Sequence, residues 1–226
     1  MNGIHDIGGF QGLGAIDYVA DEPIFDEDWE RQVFALHVAM SGQGIYNIDQ
    51  FRHGIERMHP IHYLGSPYYE HWLATIEDNL VRSGTLTRSE LNEMVQRFES
   101  DPDLGLSSSD DSGLAQSLAD LIPRGGWTDE AISEQPLFKL DDRVKTRNFH
   151  PTGHTRLPRY ARAKSGVIKA IYPSLVLPDT NADNQGTNPA YVYNVEFSGP
   201  ELWGDSAESN TLVRLDLWQG YLMLDA

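Results

Sequence analysis

Through the first hundred residues, apolar positions recur every three or four residues. Trp29, Val33, Phe34 and Met40 fall on one face after Asp26, which predicts an amphipathic helix with that aspartate as its cap. Asn47 followed by Gln50 has the spacing of a capping box and opens a second helix, which runs to about Arg57 and is ended by Pro60. Ser66 supplies a cap and Pro67 suits a first helical turn, so the apolar run through Trp72, Ile76 and Leu80 predicts a third helix stopping at Gly84. Thr87 with Glu90 forms another capping box, leading a fourth helix to about Phe98.

Beyond that point the period changes. Residues 101–136 form a linker rich in Asp, Ser, Pro and Gly, with one short helical patch from Gly113 to Ile122. Arg143 to Thr146, Val167 to Ile171, Tyr191 to Phe197 and Thr211 to Trp218 alternate or are β-branched and aromatic, and read as four or five short antiparallel strands. A set of that size protects its edges by closing into a small barrel. The expected class is α+β, with a helical domain over residues 21–100 and a β-barrel domain over residues 137–226. Ahead of both, residues 1–20 scatter Gly3, Gly8, Gly9, Gly12 and Gly14 among Ile4, Ile7, Phe10 and Leu13, the pattern of an extended arm. Such an arm lies on its own domain or on a partner, and the partner is the favoured reading.

Composition narrows the function. The 226 residues suffice to bury a core, and no run of about 18 apolar residues offers a membrane span. Met1 to Gly14 lacks the basic and apolar regions of a signal peptide, which points to the cytoplasm. The chain has no cysteine, so it holds no disulfide, no thiolate nucleophile and no sulfur-ligated metal. Any such centre belongs to another polypeptide. A net charge of −17 repels nucleic acid and anionic lipid on average. From Phe138 to Ala170, however, nine basic residues stand against Asp141 and Asp142, a formal +7 that leaves −24 for the remainder.

Few side-chain constellations point to independent chemistry. Glu56 and His59 have the spacing of a di-iron helix pair, but no second pair exists and Pro60 disfavours helical geometry at His59. His150 and His154 flank Pro151 and Gly153, which argues for a turn rather than a helical zinc site. There is no phosphate-binding loop and no nucleophile elbow. Tyr68, Tyr69 and Trp72, with Phe51 and Arg52, read either as helix packing or as a pocket for a small organic substrate. Arg52 either snorkels or pairs with an acid, and if buried it needs an anion. Arg156, in the segment Gly153 to Tyr160, poses the same question, with a solvated basic loop as the alternative.

At these residues the chain resembles the β subunit family of nitrile hydratase. The likeness begins with Met1-Asn2-Gly3-Ile4-His5-Asp6-Ile7-Gly8-Gly9 and continues through Asp21-Glu22-Pro23-Ile24-Phe25, Asp28-Trp29-Glu30, Phe51-Arg52, Met58 and Ser66-Pro67-Tyr68-Tyr69. In the second half it takes in Gly153-His154-Thr155-Arg156 with Tyr160, Pro178-Asp179-Thr180, Glu201-Leu202-Trp203-Gly204 and Asp216-Leu217-Trp218. No single motif is diagnostic, but their order and spacing together are specific.

The resemblance implies a helical half, an SH3-like barrel half and an arm wrapped around an α subunit. In that family the α subunit holds cobalt(III) or iron(III) in a cysteine cluster oxidised to sulfinate and sulfenate, and the active site forms at the interface of an αβ heterodimer or (αβ)2 heterotetramer. Nitriles are hydrated there to amides. Arg52 and Arg156 match the arginines that bond the oxidised cysteine oxygens, a task suited to a permanently charged fork of donors. Glu56 and His71 match supporting residues, while Ile48, Phe51, Tyr68 and Trp72 match pocket residues. Trp72 resembles the cobalt branch; iron-type chains tend to carry tyrosine there.

Three positions depart from the family pattern. His37 stands where an aromatic pocket residue is usual, Ala163 replaces a glycine, and Trp218-Gln219-Gly220-Tyr221 replaces Trp-Glu-Pro-Tyr. The competing expectations are a thiocyanate hydrolase-type subunit and a nucleic-acid-binding barrel using the +7 segment with Phe149 and Tyr160 as stacking groups.

Overall fold

The computed structural model describes residues 2–9, 14–16, 18–106, 112–120, 122, 129–208 and 210–225. Phe10 and Leu13 of the arm and residues 107–111 of the linker lie outside them. The chain divides into two compact units, Val19–Gly126 and a second made of Met1–Tyr18 with Trp127–Ala226. The amino-terminal segment thus belongs to the β-rich unit. Among the described residues no helix is long and apolar enough to cross a membrane.

The first unit is helical: α1 (Asp28–Gly42), α2 (Ile48–Glu56), α3 (Pro60–Gly65), α4 (Tyr68–Arg82), α5 (Arg88–Ser100) and α6 (Ser112–Ala119). The Asn47/Gln50 and Thr87/Glu90 capping boxes form as the sequence predicts. The cap of α1 is Glu27 rather than Asp26, because Glu27 and Glu30 bond reciprocally to each other's backbone. Pro60 does more than stop α2. It starts the short helix α3, whose first amide donor after the proline, on Ile61, is met by His59 Nδ1 at 3.3 Å. Ser66 does not cap α4, which Pro67 precedes; its hydroxyl instead donates to the His62 carbonyl at 2.6 Å and closes α3.

The core of this unit is Val33, Tyr46, Phe51, Tyr69, Ile76 and Leu80. Helices α2 and α4 cross closely at Gly54, where an added Cβ would overlap Thr75 Oγ1 and stand 2.8 Å from the threonine's Cβ. Thr75 is fully buried and donates to the Phe51 carbonyl at 2.7 Å, while Asn79 donates to the Thr75 carbonyl at 2.9 Å. This polar clasp satisfies groups that would otherwise destabilise a dry crossing.

In the second unit, β1 (Arg143–Thr146), β2 (Ser165–Leu175), β3 (Ala190–Ser198), β4 (Leu212–Trp218) and β5 (Leu222–Leu224) form one antiparallel sheet of order β4-β3-β2-β1-β5. Short helices α7 (Pro178–Asn181) and α8 (Gly199–Trp203) follow β2 and β3. Register shifts between Ile168 and Ala170 and between Tyr172 and Ser174 bend β2. By hydrogen bonding the sheet is open: β4 and β5 end the order, and no ladder joins them among the described residues. Alternate side chains of β3, including Tyr193, Val195 and Phe197, are fully buried with Val144, Leu157, Ile168 and Leu217. The chain is therefore α+β, with a helical amino-terminal half and a five-stranded carboxy-terminal sheet.

Candidate active site

In the helical unit, α1, α2 and α4 bring His37, Phe51 and Trp72 into one aromatic wall. His37 and Phe51 ring centres lie 4.1 Å apart, His37 and Trp72 4.9 Å, and Phe51 and Trp72 5.0 Å. Tyr68 extends the wall, 5.7 Å from Trp72, and is 63% exposed. Ile48 packs partly buried against the same cluster. Each edge-to-face contact adds about 0.5–1.5 kcal/mol beyond burial, so the wall is rigid without being closed.

His37 Nδ1 lies 3.2 Å from the Tyr46 hydroxyl. Burial lowers the His37 pKa and raises that of Tyr46, so both groups are neutral at neutral pH. A phenol is the better donor and an imidazole nitrogen the better acceptor, which puts the histidine proton on Nε2.

Arg52 follows Phe51 on α2. Its Nη1 lies 3.3 Å from Asp49 Oδ1; the arginine side chain is 45% exposed and the aspartate only 4%. The buried carboxylate holds one end of a guanidinium on a half-exposed side chain. Glu56 is the partly buried last residue of α2, and His59 caps a different helix, so the metal-pair geometry of two ligands on one helical face is absent. His71 stacks on Tyr63 at 4.6 Å and its Nε2 donates to the Tyr63 carbonyl at 2.8 Å, binding α4 to α3.

Arg156 belongs to the other unit, in a loop whose backbone is held from several sides. Tyr221 bonds Asp179 and also accepts from the Arg156 amide at 3.3 Å. Asp179 has a raised pKa because burial outweighs its bonds to Tyr221 and Thr155 and the nearby His154. Burial likewise raises Tyr221, and the Asp179 carboxylate adds to that. His154 and Thr155 are 1% and 0% exposed, so this stretch is not a solvated basic loop. Residues 219–221 make a tight turn in which Gln219 accepts from the Tyr193 hydroxyl at 2.8 Å and the Leu137 amide at 3.1 Å. Among the described residues no three of His, Asp and Glu converge to hold a metal ion.

The two halves match two family models: residues 1–119 the amino-terminal and residues 128–224 the carboxy-terminal domain of the nitrile hydratase beta subunit. The chain belongs to the nitrile hydratase β subunit family. The Pseudomonas putida nitrile hydratase subunit beta is 41% identical over 98% of this chain and 99% of its own. A Rhodococcus nitrile hydratase subunit beta is 38% identical over 99% and 96%. The cobalt-containing nitrile hydratase subunit beta of Pseudonocardia thermophila is 36% identical over 99% and 97%. A Thiobacillus thioparus thiocyanate hydrolase chain aligns at a TM-score of 0.38 and 20% identity over 40% of this chain, too partial a likeness to bear on function. Nitrile hydratase is a lyase that converts nitriles to amides, and its β subunit functions with an α subunit.

Around Arg156 the fold brings together residues that periodicity did not reveal. Asp6, Asp179 and Tyr221 surround the Arg156 loop from segments remote in sequence. Asp6 and Asp179 were signalled only by the motifs that carry the resemblance, and Tyr221 only by a segment that departs from the family pattern.

Proposed function

We propose that this chain serves as the β subunit of a nitrile hydratase whose metal, cobalt(III) in preference to iron(III), is held by oxidised cysteines of the α subunit. What supports the reading most is the match of β subunit models to both halves of the chain. Cobalt is favoured by Trp72 and by cobalt-containing relatives at 36% and 37% identity. The assembly is an αβ heterodimer or (αβ)2 heterotetramer in the cytoplasm, residues 1–20 lie along the α subunit, and the carboxy-terminal sheet is an SH3-like barrel. A chain without thiolates fits a supporting role towards that ion, not a ligating one.

When bound, the metal supplies Lewis acidity towards the nitrile. This chain supplies charge, position and a dry wall. Arg52, rooted by Asp49, and Arg156, held through its amide by Tyr221, donate forked hydrogen bonds to the sulfur-bound oxygens. Ile48, Phe51, Tyr68, Trp72 and His37 orient the organic part of the nitrile and exclude water. His71 has committed its Nε2 proton to the Tyr63 carbonyl, which leaves Nδ1 to accept a proton; Glu56 orients neighbouring groups. Arg52→Lys replaces the fork by a point charge. It is expected to lower kcat about 10- to 100-fold with the αβ complex intact. Near-normal turnover in a complex of normal size would remove Arg52 from this role.

A further inference from the structure

Residues 2–9 belong to a dense motif, and in the β-rich unit they lie against the segment that follows Arg156. Asp6 is 5% exposed, and its Oδ2 accepts from the Arg159 amide at 2.9 Å. Arg159 returns the contact: Nη2 donates to the Asp6 carbonyl at 3.1 Å, and Nε lies 3.4 Å from the carboxylate. Asn2 accepts from Arg162 Nη1 at 2.6 Å and donates to the Pro151 carbonyl at 2.8 Å. Gly8 and Gly9 complete the seat. A Cβ on Gly8 would stand 2.6 Å from the Tyr160 ring and one on Gly9 2.7 Å from Trp203 Nε1, and those two rings stack on each other. The clasp thus grips residues 159, 160 and 162, while Tyr221 and Asp179 grip residue 156 from the other end.

A desolvated carboxylate is costly unless it is paired, and this one meets the amide and guanidinium of Arg159, three residues after Arg156, with the buried Arg162 charge also acting on it. We propose that Asp6 is a positioning residue for Arg156: the amino-terminal segment fixes the backbone of the arginine-bearing loop so that the Arg156 guanidinium meets its anionic target at the correct distance. The proposal rests on the role assigned to Arg156. It extends that role to a segment whose other favoured use is contact with the partner.

The test is a double-mutant cycle on the αβ complex, with kcat, KM and melting temperature measured for Asp6→Ala, Asp6→Asn, Arg156→Lys and Asp6→Ala/Arg156→Lys. Misplacing the loop is expected to lower kcat about 10-fold or more in Asp6→Ala, with KM changed little. Asp6→Asn retains a carbonyl oxygen for the Arg159 amide and restores most of kcat. In the Arg156→Lys background, removal of Asp6 has little further effect, because the two act as a unit. A purely structural Asp6 would lower the melting temperature and give additive losses in the cycle, which overturns the proposal, as does unchanged kcat in Asp6→Ala. Normal turnover in Arg156→Lys would instead overturn the role of Arg156 itself. Should Asp6→Ala fail to assemble, Asp6→Glu, which keeps the charge but displaces the carboxylate by one methylene, takes its place in the cycle with the same expected loss of kcat and non-additivity.

Discussion

His37 gives the aromatic wall a directional group besides the Tyr68 hydroxyl and the Trp72 indole N–H. With Nδ1 engaged by Tyr46, the His37 Nε2–H is a donor with no hydrogen-bond partner among the described residues. A nitrile whose ring or chain carries an acceptor atom can use it, and a hydrocarbon of the same shape cannot. His37→Phe is therefore expected to reduce the preference for a pyridine nitrile over the corresponding benzene nitrile by about three- to tenfold, the worth of one neutral hydrogen bond at about 0.5–1.5 kcal/mol. The ratio of kcat/KM values measures it, and an unchanged ratio excludes His37 from contact with substrate. The same burial fixes a sign for pH. The folded-state pKa lies below the ordinary 6.5, so on acidification the unfolded chain takes up the proton first and stability falls as pH drops below that value. Melting temperature should fall less between pH 7 and 5 in His37→Phe than in the parent. Ala163, at φ 58°, occupies the left-handed region where glycine is favoured, which explains why the family pattern has glycine there.

Between elements, the crossing of α2 and α4 depends on the absence of one methyl group. In an open helix Gly→Ala stabilises by about 1 kcal/mol. At Gly54 the new Cβ meets Thr75 Oγ1, and rotating the hydroxyl away does not help because Thr75 Cβ and Cα stand 2.8 and 3.3 Å from it. Overpacking of this kind costs about 1–3 kcal/mol, and losing the Thr75 bond to the Phe51 carbonyl adds to it, so the clash wins. Gly54→Ala should lower the melting temperature of the complex and loosen Phe51 and the Trp72 wall, raising KM; a stabilised variant would show that the helices separate freely. This crossing was invisible in the sequence, because nothing local ties Gly54 on α2 to Thr75 on α4. The capping boxes at Asn47 and Thr87 were legible because their chemistry is local, and so was β1, whose bounds match the alternating stretch from Arg143 to Thr146. Helix α3 was not, since Pro60 signals an end and a beginning equally, and neither was β5, three residues made a strand by pairing with β1. The aromatic wall was half legible: Tyr68 and Trp72 share one helix, but His37 arrives from α1, and nothing local announces that meeting.

At the scale of the whole molecule, the proposed function divides the chemistry between two polypeptides, and the chain's composition accords with it. It has 34 acidic residues and 8 histidines, enough to bind divalent ions loosely, yet no cysteine to hold a low-spin trivalent ion in an oxidised sulfur cage. Loose carboxylate or imidazole binding leaves cobalt hydrated and labile, without the anionic oxygens that would engage Arg52 and Arg156. The purified chain supplied with cobalt should therefore give no amide from a nitrile. Co-expressed with its α subunit, it should yield a complex with one tightly held cobalt per αβ pair and amide formation that survives a chelator. Turnover by the single chain would refute the division of labour, and stoichiometric iron in an active complex would refute the choice of metal. An active complex that loses its activity to a mild chelator would show that the ion is not held in an oxidised cysteine cage, leaving the two arginines without the anions that the family role assigns them.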